Sequence, residues 1–264
     1  MSSTDSTTRF SDRVAHYILA RPGYPAALLE LCRRELDLGR DQVIADVGSG
    51  TGILTRLFLG NGNVVFGVEP NREMREAGEE FLSAYAKFYS VDGTAEATTL
   101  AEKSMDFVVA GQAFHWFELA RTRAEFMRVL RPEGFVMLVW NERVATGSAF
   151  AEGYEALTRA YSADYTKVSR SWLTSADAAV LGPFFGPGGY RVASFGNEQS
   201  LDFQGLSARV QSSSYMPLAE QPEFDPMMGA LTRLFEENQR EGRVRIAYET
   251  KAYWGRLTRY ESRP

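Results

Sequence analysis

The chain has 264 residues, 44% of them hydrophobic and 24% charged, with a formal net charge of −5 at pH 7. That is enough apolar material for one large domain, or one domain with a small cap, and the acidic balance speaks against a nucleic-acid partner, whose binders present a basic surface. A single cysteine, Cys32, rules out an intramolecular disulfide, and no apolar run approaches the roughly 20 residues of a membrane span, so a cytoplasmic protein without membrane contact is expected.

Residues 1–9 are rich in Ser and Thr and carry no apolar stretch, which predicts a disordered tail and not a signal peptide. Phe10 to Leu38 reads as helical with breaks at Pro22 and Pro25. Cys32 falls on the apolar pattern of that region and is expected to pack. Val43-Ile44-Ala45 then reads as the end of a buried strand, followed by Asp46-Val47-Gly48-Ser49-Gly50-Thr51-Gly52 and a helix opening at Ile53. Glycines in such a turn adopt positive φ and let a ligand lie against the main chain, and the helix behind it points free N–H groups at that ligand. A second buried strand, Val64 to Glu69, ends in an acid placed to grip the two hydroxyls of a ribose.

The alternation continues. Phe88 to Val91 is a third strand, followed by Asp92-Gly93-Thr94-Ala95-Glu96. Met105 to Ala110 is a fourth, running into Gly111-Gln112-Ala113-Phe114-His115-Trp116-Phe117-Glu118. A helix stop and turn at Leu130-Arg131-Pro132-Glu133-Gly134 precedes a fifth, Gly134 to Trp140. Strands separated by helical patterns predict βαβ units and a parallel sheet. Beyond Asn141 the expected elements are an amphipathic helix over Phe150 to Tyr161, an irregular region from Asp164 to Gly189, and a kinked strand made of Tyr190 to Phe195 and Gln199 to Phe203. A helix over Leu231 to Glu241 and a last, antiparallel strand over Arg245 to Trp254 complete the chain.

Two nucleoside cofactors compete for the glycine loop. Dinucleotide loops follow G-x-G-x-x-G, whereas here the third glycine, Gly52, comes two residues after Gly50, and Asp46 stands two before Gly48. The resulting D-x-G-x-G-x-G resembles the first motif of the class I S-adenosylmethionine-dependent methyltransferases. Glu69-Pro70-Asn71, with Asn71 as a helix cap, matches that family's second acidic position. Gln112 to Glu118 looks like the signature of the methyltransferase type 11 group around trans-aconitate methyltransferase. The resemblance covers about Phe10 to Val139 at the level of motifs. It implies a Rossmann-like α/β fold with a mostly parallel seven-stranded sheet, helices on both faces, a last antiparallel strand, and a helical or irregular insertion over the site. It also implies S-adenosylmethionine as cofactor, S-adenosylhomocysteine as product, and no metal. Cofactor contacts are expected from Asp46, Gly48, Ser49, Gly50, Thr51, Gly52, Glu69, Pro70, Asn71, Met74, Gly93, Thr94, Ala95, Glu96, Gln112, Ala113, Phe114 and Trp116. Thr94 stands where relatives carry an acid for the adenine amino group, and Asp92 is a candidate substitute.

Residues 10–264 are expected to form one domain: a cofactor-binding half over 10–141, a capping insertion over 142–189, and strands and helices over 190–264 that complete the sheet. Tyr17, Phe114 and Trp116 are candidates for cation–π contact with a sulfonium. His115 is either the general base that deprotonates the acceptor or a structural hydrogen-bonder; His16 is expected to pack or lie on the surface. Tyr17 and Arg21 belong to a segment expected to fold over the cofactor, Arg21 pairing with an anion or lying on the surface. Arg143 and Trp140, leaving the fifth strand, are the expected acceptor contacts, with Arg143 holding an organic acid. The acceptor is expected to be a small molecule. An S-adenosylmethionine-binding protein without methyl transfer, and an NAD-dependent oxidoreductase, remain as alternatives. Oligomeric state is not written in the sequence.

Overall fold

The structure, a computed structural model, describes residues 20–162, 178–213 and 215–258. Its centre is a seven-stranded sheet in the order β3-β2-β1-β4-β5-β7-β6. The strands are β1 (Val43–Val47), β2 (Val64–Val68), β3 (Phe88–Val91), β4 (Met105–Gly111), β5 (Leu130–Arg143), β6 (Arg191–Leu201) and β7 (Val244–Gly255). β1 pairs in parallel with β2 and β4, β2 with β3, and β4 with β5, while β7 runs antiparallel to both β5 and β6. The chain reverses its order between β1 and β4, so the loops leaving these two strands diverge and open a crevice at their carboxyl ends.

Both faces of β1, β4 and the second half of β5 are buried, which is why these strands read as apolar runs, whereas β6 and β7 alternate between more and less buried residues. Helices α1 (Ala26–Glu35), α2 (Ile53–Asn61) and α3 (Arg72–Phe81) follow the order of the first strands, and α4 (Leu119–Val129) precedes β5. Successive residues of a strand point to opposite faces: Val136, Leu138 and Trp140 of β5 join a core with Phe126 and Val129 of α4, and Met137 and Val139 join one with Leu28 and Leu31 of α1 and Phe58 of α2. Cys32 belongs to the second core, its Sγ 3.8 Å from Met137 Sδ, and burial pushes its thiol up to about 12.

Four further helices lie beyond β5 among the described residues: α5 (Ala149–Tyr161), α6 (Ala178–Phe185), α7 (Phe203–Gln211) and α8 (Phe224–Asn238). α6 adds Leu181, Phe184 and Phe185 to the core of the sheet. The other three build a separate apolar core of their own, in which Phe150, Tyr154 and Leu157 of α5 meet Leu206 and Val210 of α7, Met227 and Leu231 of α8, and the ends of β6 and β7.

Four details differ from the sequence expectation. Residues 130–134 belong to β5, because Leu130 pairs with Met105 before a shift of register and Phe135 pairs with Phe107 after it. β6 is one continuous strand through Gly196, Asn197 and Glu198, each paired with β7, and Phe203 opens α7 once the Asp202 side chain caps it on Gly205 N at 2.8 Å. Within the expected irregular region, residues 178–185 are helical with Pro183 inside the helix, while residues 163–177 lie outside the described part. The last helix begins at Phe224 and ends at Asn238.

Candidate active site

The crevice is built first by the loop after β1. Gly48, Gly50 and Gly52 all have positive φ (68°, 55° and 83°), a conformation L side chains rarely adopt. Gly48 N and Ser49 N donate to Val68 O at 2.9 and 3.2 Å, which ties the loop to the end of β2. A Cβ on Gly48 would lie 2.6 Å from the Ala113 Cβ, whereas one on Gly50 would meet nothing within 4 Å. Gly50 therefore presents bare backbone to open space, and Gly52 instead backs onto Leu82 at the start of α2.

Two carboxylates flank that loop. Glu69, 9% exposed, accepts from Gly50 N through Oε2 and from Asn71 N through Oε1, both at 2.9 Å. Burial pushes its carboxyl up, opposed by those two N–H groups and by Arg75. Asn71 caps α3, its Oδ1 accepting from Met74 N at 2.8 Å. Asp46, 1% exposed, accepts from Thr55 Oγ1 at 2.6 Å through Oδ2, while its Oδ1 is buried without a hydrogen-bond partner. Burial raises the Asp46 carboxyl to about 7 against the pull of the Thr55 hydroxyl and N–H. The neighbouring Thr51 hydroxyl is also buried without a partner. A buried polar atom left unsatisfied is costly and points to a missing partner.

The loop after β4 completes the crevice. Gln112 has φ 59°, a left-handed conformation in a non-glycine residue, and it is held by Gln112 N donating to Val139 O at 2.9 Å and Nε2 donating to Asn141 O at 3.0 Å. Strain of this kind collects at functional sites. Two cavities meet at Gly48, Gly50, Gly111 and Gln112. One, of about 170 Å³, extends over Glu69, Pro70, Asn71, Met74, Thr94, Ala95, Glu96, Ala113, Trp116 and Phe117. The other, of about 240 Å³, extends past Asp46, Ser49 and Thr51 to Arg21, Tyr24, Asn141, Glu142, Arg143, Arg209, Tyr215 and Tyr248.

Several expected site residues are placed elsewhere. Phe114 is 1% exposed and packs edge-on against Phe117, Trp140 and Phe184, so it is core, while Trp116 stands 38% exposed at the rim of the smaller cavity. Residues two apart in the tight 3₁₀ turn Phe114–Trp116 point to different sides. Trp140 is 2% exposed, on the face of β5 that carries Val136 and Leu138, and lines neither cavity. Gly52 and Gly93 shape their turns without lining either cavity; a Cβ on Gly93 would strike Thr98 O at 2.8 Å. Asp92, the expected substitute for Thr94, lines neither cavity and lies on the surface paired with Arg75 at 3.2 Å. Glu96 borders the smaller cavity but spends Oε1 on Glu118 N at 2.8 Å, at the start of α4. His115 lines neither cavity; its ring lies 4.7 Å from that of Trp116. His16 and Tyr17 lie outside the described residues.

Arg21 and Arg143 do reach the larger cavity. Arg21 Nη2 donates to Ser212 O at 2.8 Å. Arg143 pairs with Glu155 at 2.5 Å and lies over the Tyr154 ring, 4.7 Å from its centroid. Arg209, Tyr215 and Tyr248 line the same cavity and were not anticipated. The sequence does hold one sign of Arg209: with Leu206 and Val210 it occupies the i, i+3, i+4 stripe of α7, a charge on the apolar side of an amphipathic helix.

A family profile described as "Methyltransferase domain" matches residues 45–138, which run from β1 into β5. A protein of Schizosaccharomyces pombe named an uncharacterised methyltransferase-like protein is 28% identical over 251 residues, covering 92% of this chain and 93% of its own. An uncharacterised methyltransferase of a Geobacillus species is 30% identical over 156 residues, covering 57% of this chain and 70% of its own. Among solved structures, a protein of Anaeromyxobacter dehalogenans described as a candidate type II methyltransferase superposes with a TM-score of 0.65 over 91% of this chain and 99% of its own, at 19% identity.

Proposed function

The chain belongs to the class I S-adenosylmethionine-dependent methyltransferases, and on that premise we propose that its acceptor is a small organic acid bound in the larger cavity. S-adenosylmethionine is the cofactor, and the residues present fit it. Glu69 borders the smaller cavity with one N–H on each oxygen, which leaves each oxygen able to accept a ribose hydroxyl; Gly50 leaves room for the ligand against bare backbone, and the unpartnered Asp46 Oδ1 suits an ammonium group. Thr94, Ala95, Met74 and Trp116 would enclose the adenine side. When bound, the cofactor supplies a methyl carbon activated by a sulfonium.

The observation that carries the acid reading is the joining of the two cavities at Gln112, with cationic side chains on the far side of the larger one. Arg21, Arg143 and Arg209 line that end, and with Arg143 offset by Glu155 the other two supply its positive charge. A carboxylate is already ionised at neutral pH, so such an acceptor needs no proton removed, which agrees with His115 standing outside both cavities. The work left to this chain is alignment of acceptor and cofactor and exclusion of water. Residues 10–141 would hold the cofactor, and of residues 142–189 helix α5 would form part of the cover, which the helices of 203–238 complete through their shared core with it, while α6 packs on the sheet.

The test is transfer of labelled methyl from S-adenosylmethionine to panels of small organic acids, phenols and amines. Label in acids alone supports the reading. Label only in phenols or amines contradicts the acid acceptor, and S-adenosylhomocysteine binding with no transfer to anything favours a binding protein without methyl transfer.

A further inference from the structure

Resting on that reading of an acidic acceptor, we propose that Arg209 holds the acceptor's carboxylate and makes the enzyme select monocarboxylic acids over their uncharged analogues. Arg209 projects from α7 into the larger cavity and is only 6% exposed. Its Nε donates to Tyr248 Oη at 3.2 Å and its Nη1 to Ser213 Oγ at 3.0 Å. Both partners are neutral hydroxyls. Among the described residues no carboxylate lies within ion-pair distance of Arg209, and its Nη2 donates to nothing. A guanidinium taken from water without a counter-charge is expensive. A ligand anion removes that cost, and the planar fork of arginine suits a carboxylate.

The other charges around the cavity are differently disposed. Arg143 is met by Glu155, and Glu142 by Lys251 at 2.6 Å. Arg21 gives Nη2 to the Ser212 carbonyl. Asp46 stands on the cofactor side of the cavity, by the glycine loop. Arg209 thus brings to the acceptor side a buried positive charge whose hydrogen-bond partners are hydroxyls, and a carboxylate is the matching chemistry. Arg209 is also held in place: Tyr248 Oη donates to Gln199 Oε1 at 2.8 Å, and Gln199 Nε2 donates to Ala20 O at 3.2 Å. Tyr248 is a positioning residue in this arrangement, acting through the guanidinium.

The experiment uses protein loaded with S-adenosylhomocysteine and three pairs of probes: benzoate, phenylacetate and hexanoate against benzamide, phenylacetamide and hexanamide. Melting temperature reports binding, and the same compounds are then assayed for turnover with S-adenosylmethionine. The acids should raise the melting temperature of the wild type and the amides should not. Arg209→Gln should abolish the shift and lower kcat/KM for acids about 10- to 150-fold, the loss of a hydrogen bond to a charged group, mainly through KM. Arg209→Lys should recover part of it, and calorimetric affinity for S-adenosylhomocysteine should not change. Should Arg209→Gln fail to fold, Tyr248→Phe keeps the charge and should raise KM for acids severalfold with kcat held. Equal losses for acids and amides, retained acid selectivity in Arg209→Gln, or no shift of the loaded wild type by any acid would overturn the assignment. Failure of S-adenosylhomocysteine to bind the wild type is a separate outcome, and it removes the methyltransferase reading beneath the proposal.

Discussion

A buried aspartate beside a glycine loop sets two opposed demands on one side chain. In the folded protein the Asp46 carboxyl is raised to about 7 from an ordinary 3.8, chiefly by burial. Between those values the unfolded chain gives up its proton while the folded chain keeps it, so the stability contributed by Asp46 is full below 3.8 and is lost as pH rises through about 7. Glu69, also raised by burial, acts in the same sense. Asp46→Asn should therefore become steadily more stable than the wild type across that window, by on the order of a few kcal/mol, in melting curves taken without cofactor. The same substitution should weaken S-adenosylhomocysteine binding about 10- to 100-fold, since the charge facing an ammonium is gone. A stability difference that does not change with pH would contradict this account of Asp46. His115 gives a contrasting expectation: because it borders neither cavity, His115→Ala should cost turnover well under the roughly hundredfold loss expected of a general base. A loss of that size in kcat with cofactor affinity intact would restore the base role.

The elements around the crevice were legible in the sequence because each is specified locally. Three glycines in a positive-φ turn, an acid closing β2 and an asparagine capping α3 are requirements of a few adjacent residues. Asn71→Ala should lower global stability by about 1 kcal/mol in urea unfolding, the usual cost of losing a cap; an unchanged midpoint would mean that the bond from Met74 N contributes nothing. Side-chain direction was less legible. Phe114 and Trp116 belong to one aromatic signature, yet the turn sends the first into the core and the second to the rim. Trp140 is turned inward by the two-residue period of β5. Glu125 shows the opposite electrostatic sign to Asp46. Its bond with Arg128, helped by Thr98, holds its carboxyl at about 2 against an ordinary 4.5. Stability from this contact between α4 and the loop before β4 is thus present above 4.5 and lost as pH falls through about 2. Glu125→Gln should flatten that acid limb of the stability curve.

At the scale of the whole molecule, the sheet has a core on each face and the cover a third, which takes in the ends of β6 and β7. The residues that the cover brings to the larger cavity come from β5, α7 and β7, far apart in sequence, and the packing of α5, α7 and α8 makes them neighbours. That is why the cofactor half could be read from motifs and Arg209 could not. Leu231, fully buried between these helices, offers a way to separate the two halves. Leu231→Ala should cost about 2–5 kcal/mol, the range for a buried leucine, and speed amide exchange in residues 149–161 and 203–238. Exchange in β1 and β4 should stay slow. Uniform acceleration across the sheet would show a single cooperative unit instead.

The central claim is that the crevice between the β1 and β4 loops is the cofactor site, with Glu69 gripping the ribose. Calorimetric titration of S-adenosylhomocysteine into the wild type and Glu69→Gln tests it most directly. The wild type should bind at a single site, and the variant about 10- to 100-fold more weakly, the scale of hydrogen bonds to a charged carboxylate. No binding by the wild type, or equal binding by both proteins, would contradict it.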